Sequence, residues 1–126
     1  MGHIYTDITV RGNKGSIELK NVLIDTGATY TVLPEDVLKQ IGASPIPGYV
    51  EIKLGDSKKV KCKAYGIRIN IGEAEAPAIS ITFEGAKTVI GVETLESAGI
   101  KLDPTTGTLE FTRPKGLAYF YMSISF

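Results

Sequence analysis

Tryptophan is absent from the 126 residues, histidine and cysteine occur once each, and neither sign of charge is in excess. Each shortage closes off a class of function. Cys62 has no second cysteine, so an intrachain disulfide and a thiolate metal cluster are both excluded. His3 is the lone imidazole and sits near the N-terminus, where chain ends fray, so neither a Cys–His nucleophile pair nor a zinc ligand set can be assembled. Fourteen Lys and Arg offset fourteen Asp and Glu. A nucleic-acid or polybasic membrane binder would carry a basic excess. The basic run Lys58, Lys59, Lys61 and Lys63 largely alternates with apolar residues, as the wet face of a strand does. No stretch reaches the ~20 apolar residues of a membrane helix, and the first residues lack the basic-then-apolar pattern of a secretory leader. The expectation is a cytoplasmic protein with no cofactor, no metal, no nucleic acid and no membrane among its partners.

What is present is a 43% hydrophobic chain arranged by alternation. Its length fits one domain, 1–126, large enough to bury its own core. Ile4, Ile8 and Val10 share one face of a first strand, Gly12 to Gly15 turns the chain, and Ile17 and Leu19 begin a second. That strand ends in the unbroken run Val22-Leu23-Ile24, the pattern of a segment buried on both faces. Tyr30 to Leu33 reads as a short strand. Pro34-Glu35-Asp36 then opens a helix that places Val37, Leu38 and Ile41 on one face and stops at Gly42. Ala43 to Gly48, with Pro45 and Pro47, reads as loop. Tyr49 to Leu54 and Lys59 to Tyr65 form a long hairpin with the polar tip Gly55-Asp56-Ser57-Lys58. The apolar parity changes at Gly66, from Val60, Cys62 and Ala64 to Ile67, Ile69 and Ile71, which predicts a bulge or bend there. The parity of Cys62 predicts a buried thiol. Ile79, Ile81 and Phe83 form another strand. Val89-Ile90-Gly91 leads into a short helix over Glu93 to Ala98, stopped by Gly99. Asp103 to Gly107 turns between two more strands. The fold class is mostly β with two short helices, and two strand-turn-helix segments echo one another weakly.

A carboxylate directly after a buried run stands out. Leu23-Ile24-Asp25-Thr26-Gly27-Ala28-Thr29 is followed by a short strand and a helix. Asp and Gly also end strands in ordinary Asx-type turns, but the surrounding order is more specific. The chain resembles the retropepsin-like aspartic proteases over about three-quarters of its length. Leu23 to Thr29 matches their catalytic loop, the Glu51 to Tyr65 hairpin stands where they place a flap, and Val89-Ile90-Gly91 with its helix matches their second apolar-apolar-Gly element. The resemblance implies an acid-protease β-barrel with a flap hairpin and two short helices. It also implies an endopeptidase whose water is activated by two aspartates sharing a proton, since like charges ~3 Å apart cannot both ionise.

Asp25 alone heads such a loop, so one chain supplies half of a dyad and a second copy must supply the other half. By the same resemblance, Thr26 braces the paired loops and Gly27 supports the carboxylate. Gly27, Ala28 and Thr29 would hold an extended peptide, together with Gly55, Asp56 and Ser57 of the flap. Thr29 and Val92 stand where retroviral members carry an acid and an arginine, so both partners of that ion pair are missing together. The flap tip lacks the glycine-rich sequence of viral flaps. Beyond the resemblance lies the C-terminal extension 113–126, in which Leu117 to Phe126 reads as an apolar, aromatic-rich strand suited to a homodimer interface or, as the alternative, to an intrachain edge. The rival function is a non-catalytic dimerisation or peptide-binding module, for which a free carboxylate and its supporting glycine would be superfluous.

Overall fold

The computed structural model describes residues 3–112, so the segment 113–126 expected at the dimer interface lies outside the described residues. Strands β1 (Ile4–Arg11) and β2 (Ser16–Ile24) form an antiparallel hairpin. The turn between them docks on helix α1 (Glu35–Ile41): the Asn13 and Lys14 N–H groups donate to the Gly42 and Ile41 carbonyls (3.0 and 2.8 Å). Those carbonyls belong to the end of α1, where orphan acceptors need partners. Gly42 closes the helix at φ 68°, with Ala43 N–H reaching Leu38 O (2.9 Å), which is Schellman geometry. Pro34 is the extended residue just before the helix, one position earlier than the first turn.

Strand β3 (Thr31–Val32) precedes α1. The chain then runs through β4 (Ser44–Lys53), β5 (Lys59–Ile71), β6 (Ala74–Thr82), β7 (Val89–Ile90), helix α2 (Val92–Ala98), β8 (Ile100–Asp103) and β9 (Thr108–Phe111). Among the described residues the chain is therefore mostly β with two short helices. The main sheet has the order β1-β2-β7-β3-β6-β5-β4, and β1 also pairs with β5, so the sheet curls until it closes on itself. Strand β5 makes this possible by its length. One edge carries β4 against Lys59–Gly66 and β1 against Arg68–Ile71, while β6 runs along the other.

Two apolar clusters result. The larger holds Ile8, Val10, Ile24, Ile67, Ile69, Ile71 and Ile90, capped by Leu38 and Ile41 of α1 and by Leu95 and Ala98 of α2. The smaller holds Val32, Cys62, Ala64 and Ile81, with Tyr30, Val50, Ile52 and Phe83 against it. Cys62 is fully buried, as its parity predicts, and burial pushes its thiol pKa up. Lys59, Lys61 and Lys63 are exposed.

Four expectations are corrected. Ser44 to Gly48 is not loop but the start of β4, pairing Ser44, Pro45 and Ile46 with Gly66, Tyr65 and Ala64. As the last strand of the sheet, β4 tolerates prolines because one of its edges has no ladder to lose. Gly66 carries no bulge: the β5–β6 register runs unbroken from Lys63↔Thr82 to Ile71↔Ala74. The parity changes because the two ends of β5 face different clusters, and the irregularity lies in β4 between Ile46 and Val50. Strand β6 begins at Ala74, well before Ile79, and sets Ala74, Ala76 and Ala78 opposite Ile71, Ile69 and Ile67. Val22 and Ile24 are buried but Leu23 is half-buried, so the end of β2 is covered fully on one face only.

Candidate active site

Asp25 is the first residue beyond β2, and its position is set by backbone bonds. Its N–H donates to Ile90 O (2.9 Å), extending the parallel pairing of β2 with β7, and its carbonyl accepts Ala28 N–H (3.0 Å). The side chain folds back over this turn so that Oδ1 accepts the Gly27 N–H (2.9 Å). A Cβ on Gly27 would sit 3.1 Å from that oxygen.

The rest of the loop is tied to the start of α2. Val92 N–H donates to Ala28 O (2.8 Å) and Glu93 N–H to Thr29 O (2.9 Å). Gly91 lies so close beneath that a Cβ there would meet the Tyr30 carbonyl carbon and oxygen at 2.4 and 2.5 Å. The Gly91 N–H donates to Thr31 Oγ1 (3.2 Å), and that hydroxyl pairs with Thr94 Oγ1 (2.6 Å), both threonines being fully buried. Glu93 turns its carboxylate onto the Ile79 N–H (3.2 Å). The loop thus rests on polar bonds that link β3, β6 and the start of α2, those of Thr31 and Thr94 being buried. At positions 29 and 92 backbone bonds make this connection without the ion pair that the resemblance would place there.

Asp25 borders two hollows. A groove of about 750 Å³ runs between its loop and the β4–β5 hairpin, lined by Asp25, Gly27, Ala28, Thr29 and Gly55 among the expected residues. Its apolar wall is the open side of the smaller cluster, with Val32, Val50, Ile52, Ile81, Phe83 and Val89. Thr26 instead lines a hollow of about 630 Å³ on the other side of Asp25, with Ile4, Leu23 and Leu102. Asp56 and Ser57 stay at the hairpin tip outside the groove lining, where Lys58 N–H donates to Asp56 Oδ1 (3.0 Å) and Ser57 N–H to Leu54 O (2.9 Å). Another hollow of about 510 Å³, near Arg11 and Ser97, does not include Asp25.

The groove also gathers Glu51, Lys53 and Lys87, which the sequence reading did not single out. Glu51 and Lys53 were legible as polar positions of an alternating strand, but nothing in the pattern assigns them to this groove. Lys87 lies between β6 and β7, where no periodicity operates. Among the described residues no three His, Cys, Asp or Glu side chains converge as metal ligands would, and no helix is long and apolar enough to cross a membrane. Neither a scan against protein-family models nor a search of curated proteins returns a match for this chain. The functional reading therefore rests on the residues and their geometry.

Proposed function

We propose that the protein is an aspartic endopeptidase of the retropepsin-like kind, acting as a homodimer in which each protomer contributes one Asp25. The observation that carries this reading is the placement of the Asp25 carboxylate. It is exposed, held by the Gly27 N–H, and lines a groove with an apolar wall. A carboxylate presented in this way can hold a water and accept its proton.

In the reaction the ionised carboxylate takes a proton from water, whose oxygen adds to the peptide carbonyl carbon. The protonated partner carboxyl gives its proton to the carbonyl oxygen, forming a neutral gem-diol. Collapse of the diol breaks the C–N bond, with the amine nitrogen taking up a proton and the second product leaving as an acid. The apolar wall holds side chains flanking the bond, and the β4–β5 hairpin serves as the cover. Thr26, on the far side of Asp25, braces the two loops across the dimer axis in this reading, and Gly55, Asp56 and Ser57 form the tip of the cover.

The test is cleavage of unstructured peptides at mildly acidic pH by the unaltered chain and by Asp25→Asn. The amide is nearly isosteric but cannot act as base, so cleavage should fall by at least ~10³-fold while circular dichroism and sedimentation remain unchanged. Cleavage at the unaltered rate would place the chemistry elsewhere. Peptide binding with no cleavage by either chain would identify a binding module.

A further inference from the structure

Four charged side chains line the groove beside its apolar wall, and they are not equivalent. Asp25 accepts a hydrogen bond from the Gly27 N–H. Glu51 faces Lys59 at 4.0 Å, a cation outside the groove lining. Lys53 and Lys87 have no carboxylate within ion-pair distance among the described residues. Both are exposed, and they approach the groove from different elements, Lys53 at the end of β4 and Lys87 from the connection between β6 and β7. Glu51 has a cation facing it, whereas Lys53 and Lys87 line the groove beside its apolar wall with no acid paired to either among the described residues.

We propose that the groove selects peptides in which an acidic side chain lies close to the apolar residues bound at Val32, Ile52 and Ile81, with Lys53 and Lys87 as the residues that read the acid. This rests on the proteolytic reading only for the consequence that the selected peptide is also cut. A carboxylate brought between the two lysines gains two attractions in a cleft narrower than open solvent, and their mobile stems can follow it along the groove. Charge complementarity of this kind fixes register: the acid stations the peptide, and the apolar neighbour then falls over Asp25.

The test measures binding apart from cleavage. Octapeptides of Leu, Phe and Ala carrying two Glu, two Gln or two Lys, labelled with a neutral dye, are titrated by anisotropy into the full chain bearing Asp25→Asn. The Glu peptide should bind about fivefold more tightly than the Gln peptide and the Lys peptide least tightly, with the difference shrinking as salt is added. The double reversal Lys53→Glu with Lys87→Glu should invert that order. Both lysines are exposed, and single Lys→Gln variants, each expected to reduce the preference, guard against a misfolded double variant. Equal binding of the three peptides, or an order unchanged by reversal, overturns the proposal even if the unaltered chain cleaves peptides. An acid preference without cleavage by the unaltered chain would keep the selective groove and remove the protease. Failure of every peptide to bind overturns the selectivity, and absence of cleavage by the unaltered chain would separately overturn the proteolytic reading.

Discussion

A methyl group added at position 91 would land 2.4 Å from the Tyr30 carbonyl carbon and 2.9 Å from the Ala28 oxygen, and both are backbone atoms. Backbone bonded on both sides cannot step away cheaply, so Gly91→Ala should displace the Asp25 loop and destabilise the fold by about 1–3 kcal/mol, as overpacking does. The contact at position 27 has another character. There the added methyl would stand 3.1 Å from Asp25 Oδ1, the end of a side chain that can rotate. Gly27→Ala should therefore leave the urea midpoint nearly unchanged while impairing whatever the carboxylate does. Urea unfolding and peptide cleavage measured on both variants separate the two effects. Equal destabilisation by the two substitutions would show that the loop is not braced as described. Both glycines stand in the motifs legible in the sequence, but only the structure distinguishes a glycine excluded by backbone from one excluded by a side chain.

At the scale of elements, the β8–β9 turn offers a pH probe. Asp103 Oδ1 accepts the Thr105 N–H (2.9 Å) and more weakly the Thr106 N–H (3.4 Å), and the Thr105 backbone bond is the leading cause holding its pKa below the ordinary carboxylate value. A folded pKa depressed in this way contributes stability that is present above the unfolded value and is lost as pH falls through the folded one. An NMR titration should accordingly give Asp103 a lower midpoint in the protein than in an unfolded peptide of residues 100–111. Protection of the hairpin amides should decline across that same acidic window in the unaltered chain but not in Asp103→Asn. Coincident midpoints would remove the assigned bonds.

The turn itself was legible, as were most element positions, because Gly, Pro and Asp punctuate the chain where the backbone bends. Parity was less informative. In β2 the covered set shifts from the partly buried Ile17 and Leu19 to the buried Val22 and Ile24 across an irregularity opposite Asp7, with Asn21 at φ 56° and its N–H on Asp7 Oδ1 (2.8 Å). In β5 an identical shift across Gly66 comes from a change of cluster with the register intact. A period-two pattern records which face is covered and not by what, so it cannot tell these cases apart. The alanines that open β6 were missed because a small side chain carries little strand signal until the isoleucines opposite it are known.

For the whole molecule, the decisive question is whether one chain holds a complete site. The closed sheet leaves Asp25 exposed at its rim, and the other carboxylate lining the groove, Glu51, stands on the β4–β5 hairpin facing Lys59. A dyad built from Asp25 and Glu51 of one chain would make a catalytic monomer; a dyad of two Asp25 residues would require a dimer. Mixing unaltered and Asp25→Asn protomers at fixed total concentration decides between them. If sites need both acids and protomers pair at random, activity follows the square of the unaltered fraction, leaving about a quarter at equal parts. Independent monomers would leave about half, on a straight line. Incomplete exchange also gives a straight line, so mass-labelled protomers must first show mixed dimers at the random proportion. A mixed pair has a carboxylate facing an amide, which can bind water or polarise a carbonyl but cannot return the proton that the cycle requires. The square law is the result expected here, and a linear response after verified exchange would overturn the two-chain dyad and the mechanism proposed with it.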